Sequence, residues 1–365
     1  MSYAISALRI IWWAGGKQSC RTSQRLLRRI PNAQSPLPAP QMPEFDLIAR
    51  LRVRIAARAD VPLGIGDDAA LLHPPAGEQL AITTDTLNAG VHFPQETRAD
   101  DLGWKTLAVN LSDLAAMGAQ PRWCTLSLSL PHDDAAWVDL FADGFFALAD
   151  AHDIVLVGGD TTRGPLSCAV TAIGSVPPSA ALRRDGARIG DDVWVTGAPG
   201  EAAAALALWQ AGQLDVTCAA ADPLHEQWRS RLLRPQPRVQ AGLRLRGLAH
   251  ACVDISDGLL ADLGHLCDRS GVGAQLALAA LPAMPRSAGT SVAQCPGWQL
   301  GGGDDYELCF TAAPQHRAAV AQAMEFAEVA ATRIGQIVAT PGVVVHDADG
   351  NPWQPLRRGY QHFVG

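Results

Sequence analysis

The chain has 365 residues, of which 48% are apolar, and its formal net charge is −7. This composition excludes disordered and fibrous proteins, and no stretch approaches the ~18 consecutive apolar residues that a membrane span needs. Because six basic residues and no acid fall in residues 1–43, the remainder carries −13, and such an acidic body argues against a nucleic-acid partner.

Residues 1–42 are basic and acid-free, and they end in a Pro-rich run. We predict a disordered tail or a start codon assigned too early, with a transit peptide as the minor alternative. The eight cysteines of the chain are scattered and form no CxxC pair. This spacing indicates reduced thiols in a cytoplasmic protein rather than a disulfide framework or a zinc site.

After the tail, hydrophobic periodicity predicts helices over residues 44–59, 100–117 and 133–151. It predicts strands over residues 79–86, 122–130, 154–157 and 166–176, and residues 64–72 read as a turn entering a strand. The acidic pairs Asp100-Asp101 and Asp133-Asp134 are typical of helix N-caps.

The second half continues the alternation of strands and helices. It predicts strands at 192–195, 252–253, 306–311 and 331–339, and helices at 201–209, 237–248, 259–270 and 316–326. Alternating elements in both halves predict a mixed α/β protein of two domains, over residues 43–180 and 181–365.

Aspartates gather where these elements meet glycine-rich loops. Asp113 is the hardest of them to explain as a cap or a turn residue, because an unpaired carboxylate inside a largely apolar helix is costly. Carboxylate and hydroxyl oxygens suit Mg²⁺, which takes one or two carboxylates together with substrate phosphates. The pattern therefore predicts a multi-metal phosphate site, and its aspartates are Asp67-Asp68, Asp85, Asp113, Asp160, Asp254, Asp257 and Asp304-Asp305.

Other candidates keep two interpretations. Arg183-Arg184 is either a phosphate clamp or a solvated basic turn, and His92 is either a ligand contact or a structural histidine. Residues 64–69 fit the dinucleotide pattern GxGxxA, but two carboxylates in the turn would repel a pyrophosphate unless metals intervene.

Seven ordered segments spread over residues 43–365 resemble the thiamine-monophosphate kinase family. This family lies in the superfamily of aminoimidazole ribonucleotide synthetase and selenophosphate synthetase. The segments are GIGDDAALL (64–72), ITTDTLNAGVHF (82–93), AVNLSDLAAMGA (108–119), GGDTTRGPL (158–166), DISDGLLADLGHL (254–266), GGGDDYELCFT (301–311) and GYQHF (359–363).

The resemblance implies a homodimer of two-domain subunits, in which residues 43–180 bind ATP and magnesium and form a barrel-like sheet. It implies that ATP phosphorylates thiamine monophosphate with the help of several Mg²⁺ ions. Because the acceptor is already an anion and needs no strong base, we predict direct in-line transfer. Hydropathy and net charge predict no membrane or nucleic-acid partner. Asp113, Asp160 and Asp257 would be catalytic. The implied magnesium ligands are Asp68, Thr83, Thr84, Asp85, Asp113, Asp160, Asp254 and Asp257. The implied ATP contacts are Gly159, Asp160, Arg184 and Ser256, and the implied thiamine-phosphate contacts are His92, Asp304 and Tyr360.

The sequence departs from the family at Asp304, where the family usually has Glu, and in its basic N-terminal stretch. Three alternatives remain: another ATP-dependent synthetase of the superfamily, a non-catalytic nucleotide-binding module, and a metal-dependent phosphatase. The set of carboxylates argues against the binding module, since binding alone would not need so many.

Overall fold

A computed structural model describes residues 44–286, 294–354 and 359–362. The tail predicted for residues 1–42 therefore lies outside the described residues. From residue 42 onward the described chain forms one compact unit, so the boundary expected near residue 180 stays a prediction. No helix among the described segments is long and apolar enough to cross a membrane.

The first half builds a four-stranded sheet with helices on one face. Its elements are α1 (Glu44–Arg52), β1 (Gln79–Asn88), α2 (Ala99–Ala116), β2 (Gln120–Leu130), α3 (Ala135–Ala151), β3 (Val155–Arg163) and β4 (Ser167–Val176). The strand order is β1-β4-β2-β3, in which only the β2–β3 pair is parallel. The expected mixed α/β class is confirmed.

The second half builds a seven-stranded mixed sheet in the order β11-β10-β7-β9-β5-β8-β6. Its strands are β5 (Asp192–Thr196), β6 (Ala249–Asp254), β7 (Gly273–Ala277), β8 (Leu308–Ala312), β9 (Ala331–Val338), β10 (Gly342–His346) and β11 (Pro352–Trp353). Its helices are α4 (Glu201–Gln210), α5 (Pro223–Leu233), α6 (Val239–Leu245), α7 (Leu259–Ser270), α8 (Gln294–Gly301) and α9 (Arg317–Phe326).

Two glycines allow α2 and α3 to pack closely against each other. A Cβ atom at Gly103 would lie 1.9 Å from the carbonyl oxygen of Phe141, and one at Gly144 would lie 1.8 Å from that of Asp100. Backbone cannot give way as a flexible side chain can, so both positions need glycine. This close contact fixes α2, whose other side carries candidate site residues.

Several predicted boundaries were wrong. The first helix ends at Arg52 rather than at residue 59, and residues 64–72 form isolated bridges rather than a strand. The strand predicted to end at residue 157 continues to Arg163. Asp134 does cap α3, but Asp100 and Asp101 do not cap α2 and instead pair with arginines such as Arg234.

Candidate active site

A cavity of about 740 Å³ lies between the end of β1, α2, α4 and the loops around residues 256 and 303. Segments far apart in the sequence converge here, as the aspartate pattern predicted. Nine predicted site residues line it: Asp85, His92, Asp113, Arg184, Asp254, Ser256, Asp257, Asp304 and Tyr360.

A second cavity of about 520 Å³ adjoins the first. Both cavities are lined by Asp113, Arg184 and Asp254, and the second also contains Thr83 and Arg183. Arg183 lines only the second cavity and pairs with Asp185, whereas Arg184 lines both cavities. The three shared residues therefore stand where two ligands could meet.

Helix α2 and strand β1 hold the central carboxylates. The Thr83 hydroxyl donates to Asp113, and the Ser112 hydroxyl donates to Asp254 at 2.7 Å. The Asp85 backbone N–H donates to the Asn110 side-chain oxygen at 3.0 Å. Neighbouring positions of α2 thus fix residues from β1 and from β6, so the geometry depends on both halves of the chain.

The carboxylates raise one another's proton affinity. Burial, followed by repulsion from Asp113 and Asp257, raises the pKa of Asp85 to about 6. Burial and the nearby Asp113 raise the pKa of Asp254 to about 8, while Arg184 opposes that shift. Burial also raises the pKa of Asp113. Buried anions held this close together favour a bound cation.

Magnesium fits this donor set only with help from a ligand. Within the described segments, no three side chains of His, Cys, Asp or Glu form a group that could hold a metal by themselves. Mg²⁺ commonly uses one or two carboxylates and completes its shell with water and phosphate oxygens. The oxygen donors of Asp85, Asp113, Asp254 and Asp257 match that chemistry.

Asp262, which the sequence analysis did not select, organises the loop of Ser256 and Asp257. One oxygen of its carboxylate accepts from the backbone N–H groups of Ser256, Asp257 and Gly258, each at 3.1 Å. Gly258 has φ +132°, a conformation that side chains rarely adopt. Burial raises the pKa of Asp262 to about 6.

Beside this loop, Asp304 contacts a buried lysine that was not among the predicted site residues. Lys105 Nζ lies 3.2 Å from Asp304 Oδ1, and its side chain is 2% exposed. The Tyr306 hydroxyl donates to the same oxygen at 3.0 Å. A lysine buried to this degree needs a partner, and the Asp304 carboxylate supplies it.

His92 and Tyr360 lie together beside this group. His362 links them, with ring centroids 5.1 Å from His92 and 4.9 Å from Tyr360. The His92 Nδ1 accepts from the Asn88 backbone N–H at 2.9 Å. Burial lowers the pKa of His92, so the ring is a neutral, partly apolar wall at neutral pH.

Four predicted residues do not reach the cavity: Asp68, Thr84, Gly159 and Asp160. Successive side chains of a strand point to opposite faces, so Thr84 faces away from its neighbours Thr83 and Asp85. Asp160 is exposed on the same outer face, and β3 is three strands from β1, about 14 Å at the usual spacing. One chain cannot bring all eight predicted metal ligands together.

Comparison with known proteins shows the family to which this chain belongs. Two family models match: AIR synthase related protein, N-terminal domain, over residues 66–176, and its C-terminal domain over residues 188–348. The thiamine-monophosphate kinase of Escherichia coli K12 is 48% identical over 326 residues, which cover 88% of this chain and 98% of the relative. The chain belongs to the thiamine-monophosphate kinase family.

Solved structures of thiamine-monophosphate kinases share the fold. The enzyme from Stenotrophomonas maltophilia K279a is 57% identical, with a TM-score of 0.79 over 85% of this chain and 98% of that one. The structure of AaThiL complexed with AMPPCP and TMP is 30% identical, with a TM-score of 0.68 over 87% and 97% of the two chains. The family resemblance found in the sequence is confirmed.

Proposed function

We propose that this protein transfers the terminal phosphoryl group of ATP to thiamine monophosphate, giving ADP and thiamine diphosphate. The observation that carries this function is the convergence of nine candidate residues on one cavity in a member of the thiamine-monophosphate kinase family. The complex of a relative with AMPPCP and TMP supports both substrates. The activity belongs to thiamine diphosphate biosynthesis.

The main difficulty of this reaction is charge. The acceptor is already an anion, so it needs little help in losing a proton, but it must approach a triphosphate. Catalysis of phosphoryl transfer consists largely of positioning and charge neutralisation. Magnesium, when bound, neutralises phosphate oxygens and orients them. We assign its retention to Asp85, Asp113, Asp254 and Asp257, whose mutual repulsion supports that role.

The remaining cavity residues divide between the two substrates. Arg184 faces both cavities, so its guanidinium is placed to hold a transferred phosphate. Ser256 belongs to the loop that Asp262 holds, a position suited to the nucleotide. His92, Asp304 and Tyr360 line the part of the cavity beside this loop, and we assign that part to thiamine monophosphate. Transfer is direct and in line, without a phosphoenzyme.

We also propose a homodimer formed by the outer face of the four-stranded sheet. Ile82 and Leu80 of β1 are 64% and 46% exposed on this face, beside Thr84. Burying them against a second copy would be favourable. Thr84 and Asp160 share this outer face by strand register, so a second copy would give them a partner surface.

The location we propose is the cytoplasm. Five cysteines of the described segments are buried free thiols, namely Cys124, Cys168, Cys252, Cys267 and Cys309. Free thiols fit a reducing compartment.

One experiment tests the function directly: ADP release in the presence of magnesium with thiamine monophosphate, thiamine or an aminoimidazole ribonucleotide precursor as acceptor. We expect ADP release only with thiamine monophosphate, together with thiamine diphosphate in equal amount. ADP release with another acceptor would favour a different synthetase of the superfamily, and nucleotide binding without turnover would favour a binding module. Recovery of a chemically competent phosphoprotein would contradict direct transfer.

A further inference from the structure

Lys105 occupies an unusual place for a charged residue. It lies inside α2, among residues that are almost all buried, and it does not line the cavity. Val109 and Asp113 follow it at intervals of four, on the stripe of α2 that faces the cavity, and both do line it. Lys105 is therefore the first residue of this stripe, set behind the side chains that a ligand would touch.

Its ammonium group contacts two segments that line the proposed thiamine-monophosphate site. Nζ contacts Asp304 Oδ1 at 3.2 Å and the backbone oxygen of His92 at 3.4 Å. Burial removes water as a competing partner, so these contacts are stronger than the same contacts on a surface. Lys105 thereby fixes Asp304 relative to His92.

The backbone of Asp304 is held just as firmly from the other side. Asp304 and Tyr306 have φ +65° and +51°, in the left-handed region that side chains seldom adopt. Their N–H groups donate to the carbonyl oxygens of Ser256 and Ile255, both at 2.9 Å. Such strained conformations persist where the surroundings over-determine them and often mark functional sites.

The two oxygens of the Asp304 carboxylate are used differently. Oδ1 receives both Lys105 and Tyr306, while no described residue donates to Oδ2. The Asp304 side chain is 28% exposed and lines the cavity, so the carboxylate presents an acceptor to the ligand. A carboxylate repels a phosphate, and it attracts a cationic ring or a ring amine.

We propose that Lys105 is a positioning residue that holds Asp304 so that its free oxygen binds the cationic, amine-bearing heterocycle of the acceptor rather than its phosphate. This inference rests on the proposed function. Lys105 acts only through Asp304 and touches no substrate itself. Its loss should therefore weaken acceptor binding and leave nucleotide binding unchanged.

The decisive variant is Lys105→Met, which keeps the length of the side chain and removes its charge. Calorimetric binding of thiamine monophosphate, and of thiamine without its phosphate, should weaken by the same factor, roughly ten- to a hundredfold for a charge-assisted contact. The KM for ATP should stay within about twofold of wild type on the additivity of independent sites. An unchanged affinity for thiamine in a folded variant would overturn the proposal.

A double-mutant cycle shows whether Lys105 acts through Asp304. In an Asp304→Asn background, Lys105→Met should weaken thiamine binding by less than about twofold more, because the shared interaction is already lost. If the two substitutions weaken thiamine binding by independent factors that multiply, Lys105 does not act through Asp304. Arg317→Met is the control: it removes one of the two arginine partners of buried Asp192, away from both cavities, and should leave acceptor affinity unchanged.

If Lys105→Met does not fold, Tyr306→Phe tests the proposal instead. It removes only the hydroxyl that donates a hydrogen bond to Asp304 Oδ1, the oxygen that Lys105 also contacts. We expect weaker thiamine binding with an unchanged KM for ATP, and unchanged thiamine binding would again refute the proposal. A wild-type protein that fails to make ADP with thiamine monophosphate would instead refute the proposed function. The experiments therefore distinguish failure of the Lys105 proposal from failure of the proposed function.

Discussion

Asp254 should make the protein less stable as pH rises from 5 to 8 in the absence of magnesium. Its folded-state pKa of about 8 lies above the ordinary value of 3.8 because burial and Asp113 disfavour the anion. A carboxyl with a raised pKa binds its proton more tightly in the folded state, so its stabilising effect is lost as pH approaches 8. Between the two pKa values, the free energy of unfolding falls by up to about 1.4 kcal/mol for each pH unit, which amounts to a few kcal/mol over this interval.

Asp254→Asn isolates this effect. The amide cannot titrate, yet its oxygen can still accept the hydrogen bond that Ser112 donates at 2.7 Å. Urea unfolding of wild type and variant, followed by tryptophan fluorescence with chelator at pH 5, 6, 7 and 8, gives the free energy of unfolding of each. We expect the stability of the variant to rise relative to that of wild type as pH rises, by an amount on the order of a few kcal/mol between pH 5 and 8.

Asp192→Asn is the matched control. Asp192 is equally buried, but hydrogen bonds from Arg317 lower its pKa, so it stays ionised throughout this pH interval. Its replacement should lower stability by the same amount at every pH. Equal pH slopes for wild type and Asp254→Asn would refute the reasoning, because they would mean that Asp254 is not held among other anions.

Three further outcomes test the site. Asp113→Ala should reduce kcat at least a hundredfold, as expected for a lost charge-neutralising group, and should weaken calorimetric binding of magnesium with an ATP analogue, while its circular dichroism spectrum stays that of wild type. Asp262→Asn should raise the KM for both ATP and thiamine monophosphate, because the loop that Asp262 holds carries Ser256 and bonds to the backbones of Asp304 and Tyr360; an unchanged KM for either substrate would contradict this role. If the proposed dimer forms through the outer sheet face, Ile82→Arg should halve the mass measured by light scattering, and an unaltered dimer mass would exclude this face as the interface.

The long periodic elements were predictable from the sequence, and the short ones were not. Helix α7 has the predicted bounds, because its apolar residues recur at helical spacing and Gly271 ends it. Helix α5 was not predicted. Most of its residues are charged or polar, and only Trp228, Leu232 and Leu233 are buried, so its sequence shows no clear apolar face. Strand β3 was cut short because Gly158-Gly159 suggests a turn. A Cβ at Gly159 would lie 1.9 Å from the Leu126 carbonyl oxygen, so the glycine serves close strand pairing.

Asp113 was predictable for one physical reason: a charged group in an apolar helix needs a partner. This reasoning selected Asp113, which the structure places at both cavities. The same reasoning applies to Lys105, eight residues earlier in the same helix, but it was applied only to acids. Asp262 gave no such signal, since an aspartate in the first turn of a helix usually has a local role, and only its three hydrogen bonds show its function.

The segment Thr83-Thr84-Asp85 shows what a linear motif cannot tell. Read along the sequence, the three residues form one cluster of oxygen donors. Because side chains alternate along a strand, Thr83 and Asp85 face α2 while Thr84 faces the opposite side of the sheet. If all three serve one reaction, Thr84 must serve the site of a second copy, together with Asp160. If both faces of β1 are functional, that fact argues for a shared interface more strongly than the exposed apolar residues of the strand do.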